Sequence, residues 1–205
     1  LLWKCDMHGH STYSGDSEIC CADIAKSYRQ TGVLPLVCDH NRTAGSEVVY
    51  HELRAEDTEL PLIVAEEIMT AEGEIIGLFL SEMVPPYLSA AETLDIIREQ
   101  GALSIVPHPF CSFRSTSALW EGTLREVAGR VDIIEGFNAR TIRERDNLRA
   151  REFAAEHKKP VSVGSAAHLQ ENLGRFFIEL EPFFSPKDLL ASLRAATVRL
   201  PVLRR

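Results

Sequence analysis

The sequence lacks the features that mark several specialised classes of protein. It has no apolar run near the roughly 20 residues that a membrane-spanning helix needs. Its first residues show neither the basic region nor the cleavage signature of a signal peptide. It also has no internal repeat, no linker-like segment and no tract of biased composition. These absences argue against a helical membrane protein, a secreted protein and a disordered one. They predict a soluble, cytoplasmic protein without a membrane partner.

Paired cysteines and an excess of positive charge are missing as well. The five cysteines are an odd number, and none has the CxxC spacing of a zinc knuckle or redox site. This pattern predicts reduced, mostly structural thiols. The net charge is -8 at pH 7, whereas a dedicated nucleic-acid binder usually has a basic face. We therefore expect no stable binding of nucleic acid, although bound divalent cations would offset negative charge where a phosphate lies.

The residues that are present suit one packed domain spanning residues 1–205. The chain has 205 residues, of which 45% are hydrophobic and 25% are charged. A single core usually grows to roughly 250 residues before it splits. Eight short apolar runs are typical of β-strands. These runs are Leu2–Cys5, Val33–Cys38, Leu62–Ala65, Ile75–Leu80, Leu103–Val106, Val131–Ile134, Val161–Val163 and Phe176–Leu180.

Amphipathic stretches between these runs carry helix signals. Ser89 and Glu92 form a capping box at the start of one helix. Ser185-Pro186 starts another over Lys187–Ala196, with proline at the first helical position. A third helix is predicted over Thr141–His157. Strands that alternate with helices predict an α/β protein with a largely parallel sheet, either closed as a barrel or open and doubly wound.

Two histidines follow the first predicted strand in the run Asp6-Met7-His8-Gly9-His10-Ser11. Because side chains alternate along an extended chain, His8 and His10 project to the same side. Two imidazoles then converge on one point, and neutral imidazole is a common ligand of transition metals. The motif alone leaves two interpretations open, a metal site and a pair of solvent-facing histidines near a terminus.

Residues with metal-ligand chemistry recur at the ends of later predicted strands. Asp39-His40-Asn41 follows the second strand, and Glu66-Glu67 follows the third. His108 and His168 each follow a further strand. A parallel α/β fold places its active site at the carboxyl ends of its strands. The shared position of these four segments therefore favours the metal site.

These segments and their neighbours match the motifs of one known family in order and spacing, across essentially the whole chain. The matches are Asp6–Ser11 for the motif DxHxHS, Asp16 in the following loop, Cys38-Asp39-His40 for TDH, Glu67-Ile68, His108-Pro109-Phe110, and Gly164–His168 for GSDAH. The sequence therefore resembles the PHP (polymerase and histidinol phosphatase) superfamily of metal-dependent phosphoesterases.

The resemblance implies a single-domain α/β fold similar to a distorted (β/α)7 TIM-like barrel. It also implies two or three divalent transition-metal ions (Mn, Fe or Zn) at the carboxyl ends of the strands. The implied ligands are His8, His10 and Glu67 for the first ion, Glu67 and His108 for the second, and Asp16, His40 and His168 for the third. Glu67 would bridge two ions. Such a centre hydrolyses phosphate esters without a protein nucleophile.

The sequence departs from the family pattern at two positions. Glu74 stands where many members have a histidine, and we leave it open as a ligand or a surface turn residue. Ala166 stands where the GSDAH motif has an aspartate. Alanine has no ligand atom, so the first ion would be held more weakly or with a water in the vacant position. Catalysis would then be impaired.

Three arginines are candidates for contacts with a phosphorylated substrate. Arg42 follows the second motif, Arg114 follows the segment around His108, and Arg140 follows a predicted strand. Guanidinium groups match phosphate oxygens well, although most arginines are solvated surface residues. Asn138 is expected either to orient a ligand or to cap the next helix.

These residues favour hydrolysis of a phosphate ester, on a small phosphorylated metabolite or the end of a nucleotide or oligonucleotide. In that reading His40 and His168 tune the water that the ions activate, while Arg114 or Arg140 steadies the phosphate. Two alternatives stay open. One is a PHP-like regulatory or binding domain without catalysis, which Ala166 favours. The other is an amidohydrolase-like enzyme, since an HxH motif near the start of a β/α barrel also occurs there.

Overall fold

The computed structural model describes residues 2–196 and consists of two β-sheets with helices packed against them. The strands are β1 (Trp3–Gly9), β2 (Val33–Val37), β3 (Ala65–Thr70), β4 (Gly73–Leu78), β5 (Leu103–Val106), β6 (Ile133–Asn138), β7 (Val161–Gly164) and β8 (Ile178–Leu180). The helices are α1 (Cys21–Thr31), α2 (Ala44–Glu56), α3 (Ala90–Glu99), α4 (Glu121–Val127), α5 (Glu144–Glu156) and α6 (Pro186–Ala195).

Each of the eight predicted strands is present, but two boundaries matter for function. The run Leu62–Ala65 predicted a strand that the structure places at Ala65–Thr70, so Glu66 and Glu67 lie inside β3 and not after it. Strand β1 likewise extends through His8 to Gly9. Charged and polar side chains are rarely fully buried in strands. The sequence analysis therefore ended these two predicted strands at Cys5 and Ala65, just before Asp6 and Glu66.

The α/β class is confirmed, whereas the described strands form two open sheets and no closed barrel. One sheet has the order β2-β1-β8 and the other β3-β4-β5-β6-β7. Both are mixed, because β8 is antiparallel to β1 and β4 is antiparallel to both neighbours. Strand β8 pairs with Trp3 to Cys5 of β1. It thus occupies the edge of β1 along which β7 would have to pair to close a barrel.

The two sheets are linked at the ends that carry the candidate ligands. An isolated parallel bridge joins Gly9, at the end of β1, to Ala167 just after β7. A second joins His40, just after β2, to Glu67 in β3, and the amide of Glu67 donates to the carbonyl of Asp39 over 3.1 Å. These backbone bonds fix the candidate ligands of one sheet against those of the other.

The predicted helices are confirmed with small changes of boundary. In α3 the Ser89 side chain accepts from the amide of Glu92, whose carboxylate accepts in return from the amide of Ser89. In α5 the helix begins at Glu144 and not at Thr141, because the preceding residue, Arg143, has an extended backbone. Among residues 2–196 no helix is long and apolar enough to cross a bilayer. The five cysteines are free, and all but Cys20 are buried.

Close packing around Gly45 supports the loops of the candidate site. Gly45 lies in the first turn of α2, where a Cβ atom would overlap Oδ2 of Asp39 and approach Oγ of Ser11 to 2.5 Å. Asp39 is fully buried and accepts hydrogen bonds from the Ser11 amide at 2.6 Å and the Ser11 hydroxyl at 2.7 Å. The absence of a side chain at position 45 therefore lets α2 pack on this network.

We expect Gly45→Ala to lower the free energy of unfolding by about 1–3 kcal/mol, because the added methyl group overpacks a buried site. Gly122→Ala is the matched control, since Gly122 also lies in a helix and an added Cβ would meet open space. That control should gain about 0.5–1 kcal/mol from better helix propensity. Urea denaturation measures both, and equal stability of the two variants would contradict the packing argument.

Candidate metal centre

Four histidines surround the buried carboxylate of Glu67. Its Oε1 atom lies 3.4 Å from Nε2 of His8 and 3.2 Å from Nε2 of His108. Its Oε2 atom lies 3.4 Å from Nε2 of His10 and 3.2 Å from Nδ1 of His40. The sequence analysis placed these residues in one site with Glu67 between the ions. The structure brings all five together.

Strand geometry aims His8 and His10 at the same point. Their Nε2 atoms are 3.2 Å apart, and both side chains are buried. His8 lies within β1 and His10 just beyond its end, so the two-residue repeat of the strand puts both rings on one side. Two ring nitrogens at this distance repel one another unless a proton or a cation lies between them.

Glu74 lies in the cluster and not in a surface turn. The antiparallel hairpin of β3 and β4 pairs Glu74 with Met69 and turns its side chain inward, where it is 3% exposed. Its Oε1 atom is 3.4 Å from Nδ1 of His40, and its Oε2 atom is 3.4 Å from Nε2 of His108. A second buried carboxylate therefore stands beside Glu67.

The remaining predicted ligands form the mouth of the centre. The Nε2 atom of His168 lies 3.1 Å from Oδ2 of Asp16, and Nε2 of His40 lies 3.6 Å from the same oxygen. Arg140 donates from Nη1 to Nδ1 of His168 over 2.7 Å. Nδ1 of His168 also lies 2.9 Å from the carbonyl oxygen of Ala166, so contacts on both ring nitrogens fix the orientation of this ring. The Asp16 side chain is 56% exposed, so this edge of the centre meets solvent.

The electrostatics of the cluster leave several groups in the form that metals prefer. Burial raises the pKa of Glu67, but His8 and His108 outweigh it and hold that pKa well below its usual range. Burial, reinforced by the positive charges of neighbouring histidines, lowers the pKa of His10 well below its usual value. Burial also lowers the pKa of His168. These groups therefore present a carboxylate and neutral imidazoles.

Unsatisfied polar atoms test whether this site fits metal ions. Two ring nitrogens lie within 3.4 Å of Oε2 of Glu67, yet this oxygen and Oε2 of Glu74 have no hydrogen bond of acceptable geometry among the described residues. Buried polar atoms without partners are costly and need an explanation. A cation supplies one. The candidate ligand groups are His8, Glu67 and His108; His40, Glu67 and Glu74; and His10, His40 and His168.

Asp39 supports the site in a way that the sequence analysis missed. Besides its two bonds to Ser11, it accepts from the hydroxyl of Ser14 over 2.8 Å. Oγ of Ser14 in turn lies 3.0 Å from Nδ1 of His10. The loop between the HxH motif and Asp16 is thus tied to the end of β2. The position of Asp39 next to His40 was the available signal, but the sequence alone does not show which residues Asp39 contacts.

Glu135 was also missed, although it is buried beside His8 and His108. It lies in β6, and its carboxylate contacts the ring of His8 at 2.9 Å and the backbone amide of His108 at 2.7 Å. Asn138, left open as a ligand-orienting or capping residue, donates to Glu135 over 3.0 Å. The available signal was a lone carboxylate in the apolar run Ile133–Phe137.

The three candidate arginines occupy different positions. Arg140 contacts His168 at the mouth, as described above. Arg114 is partly exposed. Burial lowers the pKa of Arg140, and the positive charge of the neighbouring Arg114 lowers it further. Arg42 is exposed, and its amide donates to the carbonyl of Asp39, but within residues 2–196 its side chain makes no hydrogen bond to the candidate ligands. Arg114 and Arg140 are therefore the stronger candidates for binding an anion.

Position 166 offers no ligand atom to the centre. Ala166 is fully buried, and its amide donates to the carbonyl of His8 over 2.7 Å. Its φ of +47° lies in the left-handed region, which is uncommon for alanine and more frequent for aspartate and asparagine. The backbone here thus has a conformation that suits the residue of the family motif.

Comparison with known proteins identifies the family. The PHP-associated family model matches residues 144–198. The uncharacterized protein MJ0417 of Methanocaldococcus jannaschii is 34% identical over 206 residues, which cover 96% of this chain and 81% of that protein. Together with the motifs and the arrangement of the site, these matches show that the chain belongs to the PHP superfamily.

Two solved structures share the fold. A two-domain protein from Bacteroides vulgatus, containing a predicted PHP-like metal-dependent phosphoesterase, aligns with a TM-score of 0.71 at 18% identity. The alignment covers 95% of this chain and 63% of that one. The lesion-specific endonuclease EndoQ from Pyrococcus furiosus aligns with a TM-score of 0.61 at 16% identity, over 95% of this chain and 56% of its own. The chain thus corresponds to part of each larger protein.

Metal binding should release protons at neutral pH. Burial lowers the pKa of His8, but Glu67 and Glu135 outweigh it and raise that pKa to about 10 in the metal-free protein. Below this pH a metal must displace a proton from His8, so the apparent affinity should increase as the pH rises from 6 to 8. Calorimetry in buffers of different ionisation enthalpy measures the protons released.

His8→Gln should reduce this proton release, whereas His51→Gln should leave it unchanged because His51 is an exposed histidine of α2 outside the cluster. An affinity for Zn²⁺ that does not change with pH would contradict the assignment of a proton to His8.

Proposed function

We propose that this chain hydrolyses a phosphate ester at a centre of two or three divalent transition-metal ions. The observation that carries the proposal is the convergence of four imidazoles on the buried, anionic Glu67. The proposed ligands are His8, His10, Asp16, His40, Glu67, Glu74, His108 and His168. Manganese, iron and zinc all accept mixed imidazole and carboxylate ligands.

Bound ions would supply Lewis acidity and lower the pKa of a coordinated water. The protein's own residues then bind and orient the substrate. Arg140 and Arg114 lie at the open edge of the centre, where guanidinium groups suit the oxygens of a phosphate. Nε2 of His168 lies 3.1 Å from Oδ2 of Asp16, where the ring is placed to bind an ion or to exchange a proton.

The proposed substrate is a phosphorylated small molecule or the end of a nucleotide or oligonucleotide. The positive charge of Arg114 and Arg140 is local, whereas the net charge of the chain is -8. A short phosphorylated ligand can use this local charge. A long duplex would meet the repulsion of the negatively charged surface around it.

The first test compares two neighbouring buried glutamates of β3. Glu67→Gln should abolish retention of transition metal and lower kcat on p-nitrophenyl phosphate by about 100-fold or more, since metal ions supply several kcal/mol of transition-state stabilisation. Glu66→Gln is the matched control, because the Glu66 carboxylate faces away from the centre and accepts from the amide of Val84 over 2.9 Å. It should retain both metal and activity.

Chelation of the wild-type protein should remove its activity, and Mn²⁺, Fe²⁺ or Zn²⁺ should restore it. Purified protein that holds no transition metal, combined with phosphatase activity that resists chelation, would refute the proposed metal chemistry.

Ala166 favours a second candidate function, a PHP-like regulatory or binding domain without turnover. The comparison of Ala166→Asp with Ala166→Asn separates the two functions. Both side chains suit the left-handed backbone at this position, but only aspartate adds a negatively charged ligand. We expect Ala166→Asp to bind metal about tenfold more tightly or better and to raise kcat, with a smaller change for Ala166→Asn. Metal titration and the same phosphatase assay measure both.

An active Ala166→Asp variant of an inactive wild-type chain would show that the present chain is a disabled enzyme, as the second candidate function requires. Equal activity of the wild type and both variants would show that a carboxylate at position 166 is dispensable.

A further inference from the structure

Glu135 is a buried carboxylate that touches three strands of the site without facing the open centre. It is 1% exposed and projects from β6 towards β1. Its Oε1 atom lies 2.9 Å from Nδ1 of His8. Its Oε2 atom accepts from the backbone amide of His108 at 2.7 Å and from Nδ2 of Asn138 at 3.0 Å. Both carboxylate oxygens are therefore fully used.

The contact with His8 determines which ring nitrogen carries a proton. An ionised carboxylate can only accept, so Nδ1 of His8 must donate. The other nitrogen, Nε2, points at Oε1 of Glu67 and at His10. A histidine that donates one ring N–H to a carboxylate presents its second nitrogen to a metal in a fixed orientation.

The contact with His108 holds a strained piece of backbone. His108 has a φ of +33°, which is uncommon for a residue other than glycine. Such conformations persist where surrounding contacts fix them. The 2.7 Å bond from its amide to Glu135 is one such contact, and it directs the His108 ring towards Glu67.

Gly164 provides the space that this arrangement needs. A Cβ atom at position 164, at the end of β7, would overlap both Oε1 of Glu135 and Cβ of His8. The pair of Glu135 and His8 therefore fits only against a residue without a side chain. Strands β1, β6 and β7 therefore pack closely against one another at this contact.

We infer that Glu135 is a positioning residue that keeps a proton on Nδ1 of His8, orients that ring and fixes the backbone of His108. It thereby aligns a candidate ligand of the first sheet with one of the second. The inference rests on the proposed metal centre for its effect on affinity, whereas the effect on the His8 ring concerns the metal-free protein.

Glu135→Gln tests the proton on Nδ1 while the shape of the side chain is kept. The amide oxygen can replace Oε2, where it still accepts from His108 and Asn138. The amide nitrogen then faces Nδ1 of His8 and donates to it, so the ring keeps a proton only on Nε2. In long-range 1H–15N spectra of protein with labelled histidine, the wild type should show a proton on Nδ1 of His8. The variant should lack it.

Metal affinity provides the second readout. Loss of a partner that orients a ligating histidine typically weakens metal binding about 10–100-fold, and we expect this loss of Zn²⁺ affinity for Glu135→Gln. Gly164→Ala should weaken binding in the same range while the carboxylate is retained. Glu66→Gln, a buried glutamate of the second sheet that also accepts from a backbone amide, should change neither the His8 spectrum nor the affinity. Circular dichroism verifies that each variant is folded.

The inference is overturned if folded Glu135→Gln keeps the proton on Nδ1 of His8, or if its Zn²⁺ affinity equals that of the wild type and of Glu66→Gln. Wild-type protein that binds no Zn²⁺ would refute the metal centre, and the spectrum of metal-free protein would still show whether Glu135 keeps the proton on Nδ1 of His8. Wild-type protein that binds Zn²⁺ without hydrolysing phosphate esters would refute only the proposed activity.

Discussion

The burial of negative charge at Glu67 is the constraint on which the rest of the structure depends. An ion removed from water loses several kcal/mol of solvation unless nearby groups compensate it. Here His8 and His108 approach one oxygen, and His10 and His40 approach the other. No single strand could supply these four rings. The chain therefore has to bring segments from both sheets to one carboxylate, and the fold is arranged around that meeting point.

The way the sheets meet follows from the same requirement. Strand β8 pairs with the early part of β1, and the two sheets are not paired with one another along their length. They join through single bridges at Gly9–Ala167 and His40–Glu67. Both bridges adjoin candidate ligands. The junction is thus short, and its side-chain contacts carry much of the connection between the two halves of the site, with Glu135 in a central position.

The sequence predicted which candidate ligands lie together better than it predicted the architecture. His8 and His10 could be placed together because strand alternation is a local property, and His40, His108 and His168 because strand ends share one edge. Pairing between strands is not local, so neither the hairpin that turns Glu74 inward nor the antiparallel pairing of β8 with β1 was predicted. Glu135 was missed for a related reason: its partners, His8 and His108, lie 127 and 27 residues away in the chain.

The left-handed backbone at Ala166 has a consequence for how the site could be completed. Alanine gains nothing from φ of +47°, whereas aspartate and asparagine adopt this region more often. The amide of Ala166 donates to the carbonyl of His8, which holds this position beside the proposed ligands. An aspartate at position 166 would therefore enter the site on a backbone that already suits it.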